Sequence, residues 1–183
     1  MKSSMIAAAL LVATFGFGLT GCRTVPKTEE KRDALEANVQ STLDAMRSED
    51  PSFGEFLDRA YAYAVYPAVG KGGFVLGGAF GRGEVYEQGR MIGYSDITQA
   101  TVGAQIGGQK FAQVVAFENK EALDKFTTKE YAFTAQVTAV AIKSGAAKTA
   151  RFRDGVAVFT YIKGGLMAEA AVGGQRFRFV PVQ

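Results

Sequence analysis

The chain has 183 residues, one cysteine, no histidine and a formal charge of +3 at neutral pH. Without histidine it lacks the commonest general base and the commonest transition-metal ligand. A single cysteine rules out an intrachain disulfide, and so small a charge is not the strong field of a nucleic-acid binder. No cofactor, no metal and no nucleic acid are therefore expected.

Lys2 followed by the apolar run Met5 to Gly18 has the form of a secretion signal. The run is too short to span a bilayer, which takes about 20 apolar residues. It ends at Leu19-Thr20-Gly21-Cys22, which resembles the bacterial lipobox, a small-residue cleavage site followed by the cysteine that receives diacylglycerol. On this reading residues 1–21 are removed, Cys22 carries the lipid, and 162 residues of charge +2 remain. Arg23 rather than aspartate follows the cysteine, which by the usual sorting convention points to the outer membrane, facing the periplasm or the cell surface. Residues 22–27 form a lipidated tether, whose last five residues reach at most about 17 Å. Residues 28–183 are long enough for one domain with a real core. The G-x-G-x-x-G match at Gly16 to Gly21 lies in the signal and follows no strand, so it carries no dinucleotide meaning.

Two helices are predicted next. Leu35, Val39, Leu43 and Met46 recur at helical spacing, opposite a polar face where Glu29, Glu30, Lys31, Arg32, Asp44 and Arg47 mix both signs of charge. Asp50 can cap a second helix with Pro51 at its first position, and Phe53, Phe56, Leu57, Ala60 and Tyr61 form its apolar stripe. Pro67 is expected to stop any continuation.

From Val65 onward the pattern becomes that of strands. Phe74 to Tyr86 alternates bulky and small residues, with Phe74, Leu76, Phe80 and Tyr86 on one face. Over 98–109, Ala100, Val102, Ala104 and Ile106 are expected to face inward and Gln99, Thr101, Gln105 and Gln109 outward. Phe111 to Phe117 reads as a fully buried strand, and Asn119 can cap a short helix carrying Ala122, Leu123 and Phe126. Further strands are expected at 131–142, 155–163, 165–173 and 176–182, with turns at Ser144-Gly145, Asp154-Gly155, Gly164-Gly165 and Gly173-Gly174. Twelve glycines fall between Gly70 and Gly108. Glycine weakens a strand unless something must approach its backbone closely, which implies strong curvature or tight packing. The expected class is α+β, with N-terminal helices packed on a curved, glycine-rich, mainly antiparallel sheet.

An ordered series of motifs then narrows the field. It runs Lys71-Gly72-Gly73-Phe74-Val75, Gly78-Ala79-Phe80-Gly81-Arg82-Gly83, Gly93-Tyr94-Ser95-Asp96, Gly103 to Gln109, Val114 to Phe117 and Tyr161 to Ala168. Together these resemble the SYLF domain, found in bacterial lipoproteins and in eukaryotic membrane-trafficking and actin-patch proteins, over roughly residues 60–175. The resemblance implies a lipid-binding module, since eukaryotic SYLF domains bind phosphoinositides, partly through an N-terminal amphipathic helix. The helix at that position here, Glu29 to Arg47, has mixed charges and does not match a basic, membrane-inserting one.

Candidate contacts are sought instead among the other basic residues. Arg151-Phe152-Arg153 and Arg176-Phe177-Arg178-Phe179 each place arginines on one face of a strand and phenylalanines on the other. Such a surface is either an amphipathic strand with a basic outer face or a site for phosphate, which guanidinium groups bind bidentately. Lys71, Lys110, Lys143 and Lys148 could extend it. The matching partners are membrane lipids, either anionic phospholipid or lipopolysaccharide phosphate. Two other readings stay open: an interaction lipoprotein that recruits an envelope protein, marked by an exposed apolar patch, and a hydrolase of an envelope polymer. The hydrolase would need converging acids, for which Glu84, Asp96 in a turn, and Glu169 are the candidates.

Overall fold

The computed structural model describes residues 24–72, 76–102, 109–128, 131–133, 139–162 and 174–182. Side-chain caps open the first two helices, at Thr28 and at the predicted Asp50. Thr28 accepts from the Lys31 N–H and opens α1 (Glu29–Glu49), whose buried residues are Val39, Leu43 and Met46. Asp50 caps α2 (Pro51–Arg59), which buries Phe53, Phe56 and Leu57. Asp50 does more than cap. Its second carboxylate oxygen accepts at 2.7 Å from the N–H of Ala147, in a short 3-10 helix (Ala146–Thr149), so one fully buried acid ties two distant segments together.

Eight strands among the described residues make one sheet: β1 (Ala62–Gly72), β2 (Leu76–Glu87), β3 (Arg90–Val102), β4 (Gln109–Phe117), β5 (Tyr131–Phe133), β6 (Val140–Ala141), β7 (Val156–Tyr161) and β8 (Gln175–Pro181). The order is β5-β8-β3-β2-β1-β4-β7-β6, and every pairing is antiparallel except β6 with β7. A third helix, α3 (Lys120–Thr127), follows β4 and is capped by Asn119 as expected. The class is α+β, with the N-terminal helices preceding and covering a mainly antiparallel sheet.

Several expectations are corrected. Pro67 does not end a helix: α2 stops at Arg59, and Pro67 sits inside β1, where the register shifts against both neighbours. A bulge tolerates proline because it leaves a residue outside the ladder. The turn that starts β3 is Gln88-Gly89, with φ of 49° and 79°, the left-handed pair that a two-residue hairpin demands. Asp96 is consequently in the middle of a strand rather than in a turn. The span 131–142 is not one strand, since its two described ends pair with β8 and β7 at opposite edges of the sheet. Arg151 and Arg153 are not strand residues either, apart from a single bridge from Arg153 to Val156. Residues 103–108 and the expected strand 165–173 with its Gly164-Gly165 turn lie outside the described residues.

The sheet is rolled. Gln113 on β4 and Gln175 on β8 stand four strand steps apart, about 19 Å along a flat sheet, yet their side-chain amides exchange two hydrogen bonds of 2.9 Å. Gln99, expected to face outward, points into the same concavity, where its carbonyl accepts from Gln175 at 3.4 Å. The alternation hid this because a polar layer lines the inside of the roll. Below that layer the concavity is apolar, and Phe126 of α3 touches Phe117 and Phe177 at 4.7 and 5.4 Å.

Close approach explains two of the glycines. A Cβ on Gly83 would strike the Val65 carbonyl and the Tyr66 ring of the bulged neighbour, and one on Gly93 would strike Phe179 and the Val180 carbonyl. Curvature and the bulge, rather than a packed helix, require them.

Candidate functional site

The other face of the sheet is only half covered. α1 and α2 bury Val65, Tyr86, Val114, Ala116 and Phe159. Beyond the edge of α1 no described helix covers the same face. Cross-strand register places Arg176, Thr98, Phe80, Gly70 and Lys110 in one row across β8, β3, β2, β1 and β4, and all five are exposed. Paired residues in a sheet share a face, so the row presents a cation at each end and Phe80, 41 % exposed, in the middle. The neighbouring row is Arg178, Asp96, Arg82 and Ala68.

That second row holds a buried charge. Asp96 is 6 % exposed, with its carboxylate 3.5 Å from the Arg82 Nε. Burial pushes its pKa up, against the Thr24 hydroxyl and the Arg82 and Arg178 guanidinium groups, which pull it down. Thr24 is itself 4 % exposed and Pro26 is buried, with the Pro26 carbonyl accepting from Arg32 Nε at 3.4 Å. The described part of the expected tether, from Thr24, is therefore packed onto the domain. A groove of about 540 Å³ beside it is walled by Leu35, Asn38, Pro67 and Arg82, with Pro26 at its end.

The predicted basic residues divide into separate groups. Arg176, Arg178 and Lys110 share the bare face. Lys143, Lys148, Arg151 and Arg153 are exposed around the 3-10 helix and the start of β7. β8 and β7 are five places apart in the strand order. The Lys71 side chain and Cys22 lie outside the described residues. Arg82 and Phe80 are the members that sequence reasoning missed as site residues; even-numbered spacing from Arg82 to Phe80 on one strand was the available signal.

The two described acids do not form a cleft. Glu84, 2 % exposed, accepts from the Tyr86 hydroxyl at 2.7 Å, and burial raises its pKa. It neighbours Asp96 on the sheet, but neither acid lines the groove. Glu169 lies outside the described residues. Among those residues the only large exposed hydrophobic side chains are Phe80 and Val182, and no three acidic or cysteine side chains converge as metal ligands. No described helix is long and apolar enough to cross a membrane.

A rolled sheet half covered by N-terminal helices defines the class, and the comparisons supply the family. Residues 98–179, from the end of β3 through β8, match the family described as "Ysc84: Las17-binding protein actin regulator", the SYLF family. The chain is also 32 % identical over 156 residues, 83 % of its length, to "Beta cell expansion factor A" of Aeromonas veronii, a bacterial SYLF-family protein. It spans 59 % of that relative. The chain belongs to the SYLF family.

Proposed function

We propose that this protein is an envelope lipoprotein, anchored in the outer membrane through Cys22, whose SYLF domain binds anionic phospholipid headgroups without catalysing a reaction. The observation that carries the reading is the bare half of the sheet, where Arg176 and Arg178 stand beside Phe80 and in line with Lys110. Guanidinium groups bind phosphate bidentately, and an aromatic ring among cations suits the boundary between headgroups and acyl chains. The non-enzymatic part rests on acids that are buried and paired rather than presented in a cleft, and the relative's name denotes a factor rather than an enzyme.

The test is co-sedimentation of the chain from Thr24 onward, without lipid, with vesicles of phosphatidylglycerol and phosphatidylethanolamine. Removing two surface cations at about 1 kcal/mol each should weaken binding roughly 30-fold at low salt. Replacing Arg176 and Arg178 with glutamine should produce that loss, and replacing Arg151 and Arg153 should produce much less. Raising the salt should weaken the wild type in the same direction. Equal losses from both pairs would move the site off this face, and no binding at any salt would favour recruitment of an envelope protein.

A further inference from the structure

We infer that the packed segment Thr24–Pro26 is a strut that fixes the orientation of the domain, delivering the lipid anchor beside the exposed stretch Arg176–Thr98–Phe80 so that this part of the outer face lies on the bilayer. The inference rests on the anchoring proposed above and goes beyond it, because anchoring alone leaves a domain free to swing. A swinging tether would be exposed and unbound. Here Thr24 is 4 % exposed, its buried hydroxyl near Asp96 without a hydrogen bond, and Pro26 is buried with its carbonyl accepting from Arg32.

The distances connect the anchor to the face. Cys22 precedes Thr24 by two residues, so its Cα lies within about 7 Å of the Thr24 Cα. Asp96, against which Thr24 packs, precedes Thr98 by two residues on β3, about another 7 Å. Acyl chains leaving Cys22 therefore enter the bilayer at the border of the row. Charge and polarity agree with that occupant. That stretch carries Arg176, with Arg178 in the next row, and the exposed ring of Phe80, whereas the outer face of α1 mixes Glu29, Glu30 and Asp33 with Lys31 and Arg32. The inner face of the sheet is filled by its own core and by α3, and is not available.

Wild-type Cys22 is the sole cysteine, so once it is lipidated an introduced cysteine is a unique labelling site. We would place an environment-sensitive fluorophore at Thr98→Cys, in the row, or at Glu121→Cys, exposed on α3. The full lipidated chain would be reconstituted in vesicles of brominated phosphatidylcholine. This zwitterionic lipid removes headgroup attraction and leaves the strut alone to orient the domain. Quenching should be several-fold stronger at 98 than at 121. A ten-residue Gly/Ser insertion between Arg23 and Thr24, which leaves the packed segment intact, should abolish the difference. Equal quenching at the two positions without the insertion, or a difference that survives it, would overturn the strut. If the contrast holds while the lipid-free chain fails to pellet with anionic vesicles, the strut stands and headgroup binding fails. A chain that carries no lipid and stays off these vesicles overturns the anchoring and the strut with it, while headgroup binding is decided by the anionic vesicles.

Discussion

The two faces of the sheet spend the same kind of sequence differently. On the inner face every described side chain of β4 from Phe111 to Phe117 that points inward is buried, the glutamines pair with one another, and α3 fills the apolar end. On the outer face α1 and α2 cover only one half, and the other half keeps Phe80, Thr98, Arg176 and Lys110 in contact with solvent. The inner face holds the fold together. The bare half contributes little to stability, so its residue types are available for recognition.

Glycine gives the sharpest way to break that comparison. Gly83→Val drives a side chain into the Val65 carbonyl, a backbone atom that cannot move aside, and should cost more than about 4 kcal/mol. Failure to recover folded protein, or a denaturation midpoint collapsed toward zero, is the expected result. Gly70→Ala, on the bare row with nothing within 4 Å of the new Cβ, should shift the midpoint very little. A mild Gly83 variant would mean that the bulge can relax, and the close-approach account would fail.

Phenylalanines repeat the contrast at a smaller scale. Phe177→Ala removes a ring that is 1 % exposed and touches Tyr66 and Phe126, and should lower stability by about 3–5 kcal/mol in urea unfolding. Phe80→Ala should cost less than about 0.5 kcal/mol, as surface changes usually do. The smallest effect is that of pH on Glu84. Burial raises its folded pKa above the ordinary 4.5, so its contribution is fully present below that value and is lost as pH rises through the folded pKa. Unfolding measured across mildly acidic to neutral pH should therefore show Glu84→Gln losing less stability than the wild type on the way up. Parallel curves would show that Glu84 titrates alike in both states.

Much of this architecture was legible locally. The stripe Val39, Leu43 and Met46 shows in the helical spacing, and Asp50, Pro51 and Asn119 mark helix starts by side-chain chemistry that acts within three residues. What stayed hidden depends on pairing across the sheet. Gln99 looks solvent-facing because a polar residue in an alternating strand usually is, and only Gln113 and Gln175, distant in sequence, make its inward position tolerable. Pro67 looks like a terminator because its tolerance requires a bulge against two neighbours. The arginine pairs were visible, but no periodicity could say that β8 and β7 fall on different sides of β1. The SYLF series is recognisable as an ordered set of motifs, in which Gly83 and Gly93 stand where a Cβ would strike a neighbouring strand.

The glutamine exchange between Gln113 and Gln175 also sets a schedule. Its partners are 62 positions apart, and β8, which supplies one of them, is the last described strand. The inner core cannot close until β8 is present, because that strand is a wall of the concavity rather than an addition to its edge. Non-local pairing of this kind slows folding toward the millisecond-to-second range. A chain that has not yet added β8 would present β1 to β4 as an open trough, with its apolar floor unsealed.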